Sequence, residues 1–410
     1  MEQKDNWIKN TILFLSSQTI SIFGSFLVQY AILWYITLTS RSGIMMTIYI
    51  LSTLVPVLFV SPFAGVWADR FDRKKLIMLS DSFIAFVTLI LAILFYTGHG
   101  TLWILIIAAA FRSLGGAVQM PVVGAFLPQI VPSEKLMRVN GINSSIQSLV
   151  MLGSPMLSGA LLSFASIEAI FFIDVCTALT AVGFLGLFLK IPPREKTGEE
   201  EKINYFRDLK EGFRYIGSQR YLRDFFILLA ILYFLIAPVS FLTPLQVTRS
   251  FGAHVWRLTA IELIFSVGMM LGGILIASWT GFKNKIHTII LGFLVFALST
   301  VGLGVVFNFW IYLSFMCLAG VAMSLFSTPA TVLLQQRVDE SYIGRVFGVM
   351  TMISGMMTPL GMLFFGPLAD VIPIEWILIA TGLLMVIEGF ILLGNKALLE
   401  AGKPIEESDK

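Results

Sequence analysis

Apolar residues run in long stretches along most of this chain, with no regular alternation of polar positions inside them; Leu76 to Phe95, interrupted only by Ser80, Asp81, Ser82 and Thr88, is one example. Alternation with a period of two over about 10 residues would mark the strands of a membrane barrel, whereas a run of roughly 20 apolar residues is long enough to cross a bilayer as a helix. Hydrocarbon offers no water to free N–H and C=O groups, so runs of this kind are expected as helices, which satisfy their own backbone. Breaks at Gly, Pro and charged residues divide the chain into twelve predicted spans, near 10–38, 44–67, 76–97, 102–127, 139–164, 167–190, 222–249, 255–279, 286–306, 309–333, 345–371 and 374–396. The pattern predicts an all-α membrane protein with twelve transmembrane helices.

The longest polar stretch, with "REKTGEEEK" in it, falls between spans six and seven. It divides the chain into an N-terminal six-helix half (1–190), a linker (191–221), a C-terminal six-helix half (222–396) and a tail (397–410). In the linker, Phe206, Leu209, Phe213 and Ile216 recur at helical spacing, which predicts an amphipathic helix along the membrane surface. A short internal repeat supports two halves: "VPSEKLMRVNG" aligns with "VDESYIGRVFG", matching Arg138 with Arg345 and Gly141 with Gly348, each between the fourth and fifth spans of its half. Parallel halves of this kind are what alternating-access carriers use, with the substrate near the bilayer midplane.

Composition agrees with the pattern. Hydrophobic residues make up 57% of the chain and charged ones 13%, where soluble domains carry about a quarter charged; the mean hydropathy is +0.87. With both termini placed in the cytoplasm, 24 of the 28 lysines and arginines fall on the cytoplasmic side, as the positive-inside rule requires. This predicts a multi-pass protein of the cytoplasmic membrane, with the linker inside the cell. The first apolar run has no clear small-residue cleavage site and is expected as a retained helix. Cys176 and Cys317 lie within apolar runs, so neither a disulfide framework nor a cysteine metal site is suggested. His99, His254 and His287 fall at span ends and are expected in solvent, so no metal site is expected. No GxxxxGK[ST] phosphate loop is present, which argues against ATP as the energy source, and no span carries a catalytic spacing of His, Ser or Cys, so no enzyme activity is expected.

Charges inside the spans are the candidate chemistry, because an ionised group at the bilayer centre costs about 2.5–3.5 kcal/mol on insertion scales and needs a partner or a task. Arg112 lies near the middle of span four, beside Gly115 and Gly116, which would admit a neighbouring helix. Asp174 in span six and Glu262 in span eight are candidate proton sites, with interfacial solvated acids as the alternative. Glu388 in span twelve is weighed below them, and Asp81 in span three is expected to pair with the basic loop that precedes it. That loop, "DRFDRKK", holds Arg70, Arg73, Lys74 and Lys75, which suit an anionic membrane face. Asp72 is placed to cap span three. Asp69 follows the carboxyl end of span two, where the helix dipole disfavours an anion, so it is expected to find a positive partner elsewhere.

"GVWADRFDRKK" resembles the loop signature G-x-x-x-D-R-x-G-R-K of the major facilitator superfamily: Gly65, Asp69, Arg70, Arg73 and Lys74 match, and Asp72 stands where the commonest form has glycine. "RSLGGA" resembles the R-x-x-x-G pattern of span four, and "GSPMLSG" is similar to the glycine-proline motif of antiporters, with different spacing. "QYAILWYIT" and "RSLGGAVQMPVVGAFLPQIVPSEKL" resemble the macrolide-efflux type of bacterial drug exporter within that superfamily. The resemblance implies the major facilitator fold and proton-coupled efflux of a lipophilic small molecule by a monomer, driven by a proton gradient with no cofactor and no nucleic-acid partner. Export of a native metabolite such as a siderophore or lipid, or a non-transporting sensor or scaffold on the same fold, are the alternatives. The resemblance also implies a gating motif at Gly65, Asp69, Arg70, Arg73 and Lys74; the missing partner of Asp69 suggests that it latches onto the other half near the inner end of span eleven. It further implies proton coupling that involves Arg112, with a permanent structural pair as the alternative, and a substrate cavity lined from span one by Gln29, Tyr30 and Trp34, with ordinary interface anchoring of the aromatic rings as the alternative.

Overall fold

A computed structural model gives the chain as fifteen α-helices among the described residues, with no strand. Residues 7–189, 205–279, 281–339 and 342–404 are described, without the side chains of Pro62, Gly65, Val66, Asp69 and 205–209. The helices are α1 (Trp7–Ser40), α2 (Gly43–Arg70), α3 (Arg73–Tyr96), α4 (Leu102–Ile130), α5 (Leu136–Phe164), α6 (Ile167–Phe188), α7 (Tyr205–Ser218), α8 (Arg220–Leu235), α9 (Thr243–Ser250), α10 (Val255–Trp279), α11 (Lys285–Val305), α12 (Phe309–Arg337), α13 (Ile343–Leu368), α14 (Ile374–Gly394) and α15 (Lys396–Ala401). Among the described residues, twelve helical segments are long and apolar enough to cross a membrane, and α8 and α9 form one of them, joined through a π-helical turn at Pro238–Leu242.

Helix α3 shows why these segments belong in hydrocarbon. Leu79, Phe83, Phe86, Ile90 and Ile93 are exposed, while Ile77, Asp81, Ile84, Thr88 and Leu91 are buried, both sets at helical spacing. Over this stretch the outward face is apolar apart from Ser82 and the inward one includes Asp81 and Thr88, the reverse of a helix in water. The chain is a multi-pass membrane protein.

The chain divides into two compact units: Met1–Ser40 with Ile48–Glu199, and Arg41–Thr47 with Glu200–Lys410. In the first, α1 packs on α4, α5 and α6, and α3 packs on α4 and α6. Gly24 sets the approach of α1 to α6, because a Cβ there would lie 2.1 Å from Thr177 Oγ1 and 2.9 Å from Asp174 Oδ1. A cluster of Phe14, Ile77, Val122, Phe126 and Leu185 closes one end of this bundle.

In the second unit α10 packs on α12, α12 on α11, and α11 on α14. The first contact depends on missing side chains, as is usual between helices in lipid: a Cβ at Gly268 would sit 2.2 Å from the Cys317 carbonyl oxygen. Helix α7 packs on α8 and α13. Tyr215 stacks on Tyr342 with ring centroids 4.3 Å apart and donates to Asp339 Oδ2 at 2.9 Å, and Glu211 pairs with Arg345 at 3.3 Å. Of its predicted apolar stripe, Ile216 is buried and Phe213 exposed, while the side chains of Phe206 and Leu209 lie outside the described residues.

Segment 41–47 is held within the second unit by Asp370, just past α13. Its Oδ1 accepts from the Gly43 N–H and from Arg249 Nη2, both at 2.7 Å. Its Oδ2 accepts from the Ser42 hydroxyl at 2.7 Å and the Ile44 N–H at 3.0 Å. Asp370 thus caps the positive end of α2 from 327 residues away. Partial burial pushes its carboxyl up, but the Ile44 and Gly43 N–H groups, the Ser42 hydroxyl and Arg249 outweigh that and hold it below the ordinary carboxylate value.

Candidate functional site

Among the described residues, four charged side chains are buried: Asp81, Arg112, Asp174 and Glu388. Three of them share the interior of the first unit, where they form two clusters with different chemistry.

In the first cluster Arg112 of α4 meets Asp174 of α6, with Nη1 donating to Oδ2 at 2.6 Å. The Thr88 hydroxyl of α3 joins both, contacting Arg112 Nη1 and donating to Asp174 Oδ2 at 2.9 Å, and Arg112 Nη2 reaches the Ser25 carbonyl of α1 at 3.3 Å. Four helices therefore converge on one guanidinium. Removing both ions from water is costly, and their mutual attraction with these hydrogen bonds is what offsets it. Gly115 allows the geometry, since a Cβ there would lie 2.5 Å from Ile84 Cγ1 of α3, whereas a Cβ at Gly116 meets nothing within 4 Å.

The second cluster surrounds Asp81. Its Oδ1 accepts from the Ser21 hydroxyl of α1 at 2.5 Å and from Gln119 Nε2 of α4 at 2.6 Å, and Gln119 lies 3.5 Å from Gln18 Oε1 of α1. Asp81 Oδ2 and Gln18 Nε2 have no hydrogen-bond partner among the described residues. The expected pairing of Asp81 with the basic loop is therefore incorrect. Asp81 lies eight residues into α3, about 12 Å from its start at 1.5 Å per residue, and it points into the bundle.

The basic loop has other tasks. Asp72 caps α3 and accepts from the Lys75 N–H at 3.1 Å. Arg73 donates through Nε to the Ala68 carbonyl of α2 at 2.8 Å and through Nη1 to the Ala125 carbonyl of α4 at 2.7 Å. Lys74 Nζ donates to the Leu189 carbonyl at 2.7 Å and to the Gly186 carbonyl at 3.3 Å, at the carboxyl end of α6. These cations tie together the carboxyl ends of three helices, where the dipole favours positive charge. Arg70 is exposed in the last turn of α2. The side chains of Asp69 and Gly65, and with them the predicted latch, lie outside the described residues.

Against known proteins, the sequence profile of the Major Facilitator Superfamily matches residues 12–362. The chain belongs to this superfamily. It is 26% identical to macrolide efflux protein A of Streptococcus pyogenes over 390 residues, which cover 94% of this chain and 96% of that one. It is 24% identical to the staphyloferrin A transporter of Staphylococcus aureus over 365 residues, covering 88% and 90% of the two chains. A crystal structure of a bacterial homologue of the human lysosomal transporter Spinster shares the fold, with a TM-score of 0.71 at 15% identity over 98% of this chain and 99% of that one. The protein is thus a major facilitator transporter.

The remaining candidates are dispersed. On α1, Gln29 is exposed, and its backbone carbonyl accepts from the Tyr49 hydroxyl at 3.1 Å. Tyr30 packs against Trp34 with centroids 5.7 Å apart. Trp34 is fully buried, and its indole N–H has no partner among the described residues, so its ring is enclosed by the first unit rather than open to a ligand. Glu262 is half-buried on α10, with no hydrogen bond to its carboxylate among the described residues. In the antiporter-like segment of α5, Ser154, Pro155, Ser158 and Gly159 are buried, and the Ser158 hydroxyl donates to the Leu27 carbonyl of α1 at 3.0 Å. That segment packs α5 on α1.

Sequence reasoning missed Gln18, Ser21, Thr88 and Gln119. Gln119 lies seven residues after Arg112 and so on the same face of α4, which is a signal that could have found it.

Proposed function

We propose that this superfamily member is a proton-coupled exporter of lipophilic compounds of the macrolide kind, working by alternating access in the cytoplasmic membrane as a monomer with both termini inside the cell. The observation that carries the reading is the similarity to macrolide efflux protein A along nearly the whole of both chains. The buried acids of the first unit support coupling to protons, because ionisable groups inside a membrane bundle serve by default as functional groups. The distribution of lysine and arginine supports the orientation.

The test is drug accumulation in a bacterial strain stripped of its other exporters, with and without this chain and with a protonophore. Lower macrolide accumulation that the protonophore reverses is the expected result. Unchanged accumulation across a chemically broad panel would sink the drug-export reading. A second reading, export of a native metabolite such as a siderophore, is favoured by the similarity to the staphyloferrin A transporter. Retention of such a compound in cells lacking the chain, with drug accumulation unaltered, would select it.

A further inference from the structure

We infer that Asp81 is the group in the first unit that binds the coupling proton, with Ser21, Gln18 and Gln119 as its positioning residues; this rests on the proton-coupled reading above. The two carboxylates of this interior differ in what faces them. Asp174 has Arg112 at 2.6 Å and serves as its counter-ion. Asp81 has only neutral donors, Ser21 from α1 and Gln119 from α4. The buried charged groups of the helices around it are Asp174 on α6 and Arg112 on α4, already paired with each other; Glu168 of α6 lies in that helix's first turn, and α1 presents no charge at this level. Asp81 and Gln119 each stand seven residues from the Thr88 and Arg112 of the upper cluster, about 10 Å at 1.5 Å per residue. Arg112 is therefore committed elsewhere, and its field at Asp81 is offset by Asp174.

The buried interior thus holds one positive and two negative groups. Proton binding adds one hydrogen to the free Oδ2 of Asp81, turning a carboxylate into a carboxylic acid, while Oδ1 keeps both of its donors. No other bond forms or breaks, and the net buried charge goes from minus one to zero. A membrane interior favours the neutral sum strongly enough for this to bias one conformation over another.

Polar groups recur along one face of α1. Thr11, Gln18 and Ser25 recur every seven residues, on one face of the helix, and Ser25 carries the carbonyl that meets Arg112. Thr11 Oγ1, Gln18 Nε2 and Asp81 Oδ2 are buried polar atoms without a protein partner among the described residues. Thr11 and Gln18 lie seven residues apart on α1, about 10 Å at 1.5 Å per residue, between its amino end and the level of Asp81. Glu388 of α14, also buried, has neither carboxylate oxygen hydrogen-bonded among the described residues. Glu262 is half-buried and stands alone.

The test is infrared difference spectroscopy of the purified full-length protein across a pH titration, reading the carboxylic-acid C=O stretch and its shift in heavy water. The wild type is expected to show a titrating buried-acid band that Asp81→Asn removes, that Asp81→Glu restores at a shifted position, and that Glu388→Gln leaves in place. An unchanged titration in Asp81→Asn, or loss of the band in Glu388→Gln instead, overturns the assignment. The near-isosteric Asn limits misfolding, and the Glu variant separates loss of the proton site from loss of the fold. Because the readout needs no substrate, the two claims fail separately. An Asp81-dependent band in a protein that exports nothing removes the export reading alone. Protonophore-sensitive export that survives in Asp81→Asn, with its titration intact, removes the proton assignment alone.

Discussion

The two units spend their polar groups in opposite ways. The first buries Arg112, Asp174 and Asp81 together in its interior and links them through α1. The second keeps most of its charge at its ends, in Arg249 with Asp370 and Arg345 with Glu211, and fills its interior with neutral bonds. There, Gln246 donates to the Leu303 carbonyl at 2.9 Å and Tyr312 donates to Gln246 Oε1 at 2.9 Å. Its one buried acid among the described residues, Glu388, is isolated. An interior bonded mainly through neutral groups suits a rigid body, whereas one that gathers Arg112, Asp174 and Asp81 is suited to respond to a proton. On the proposed proton-coupled reading, the difference places the coupling chemistry in the first unit and a scaffolding role in the second.

The sharpest way to break this comparison is Arg112→Ala. It strands Asp174 as an unpaired buried charge and is expected to cost about 3–5 kcal/mol and abolish transport, read by thermal unfolding in detergent and by drug accumulation. Arg112→Leu with Asp174→Leu should recover most of that stability and none of the transport. Recovery of transport by the double variant would show the pair to be mere packing.

Next in size is Gly268→Val in the second unit. The added side chain runs into the Cys317 carbonyl and should cost about 1–3 kcal/mol by overpacking. Protein that still folds should keep its proton titration, because the damage lies outside the first unit.

Asp370→Ala removes the cap on α2, with an expected loss of about 1 kcal/mol. The sign of its pH dependence follows from a folded-state carboxyl held below its unfolded value: the stabilisation is complete above the ordinary carboxylate value and fades as pH falls through the depressed one. A urea midpoint measured against pH in the wild type and in Asp370→Asn would show this in its slope, since Asn cannot titrate, although with one acceptor oxygen in place of two it also loses part of the cap. Smallest is Lys74→Ala, which frees the carbonyls at the end of α6 and should cost about 0.3–1 kcal/mol. An effect on transport larger than this on stability would give Lys74 a part in gating beyond its contact with the end of α6.

The spans were legible in the sequence because hydrocarbon forces long apolar helices, and the Asp72 cap was legible because its partner is three residues away. Arg112 stood out as a charge in a greasy run, but its counter-ion lies 62 residues further on and only the packing of α4 on the rest of the bundle selects it. Asp81 was misplaced because nearness along the chain suggested the basic loop, while the helix carries it two turns into the bundle. Arg73 and Lys74 bind carbonyls, which leave no mark in a sequence. Asp370 was invisible for a related reason, as its partners are the backbone N–H groups of a distant helix start.

The central claim is that protons move through the first unit by way of Asp81. The most direct measurement is macrolide-driven proton movement in proteoliposomes holding a pH-sensitive dye, with erythromycin as the probe, for the wild type, Asp81→Asn and Glu388→Gln. Proton movement in the wild type and Glu388→Gln and none in Asp81→Asn is the result expected. Movement in Asp81→Asn equal to that of the wild type would contradict the account.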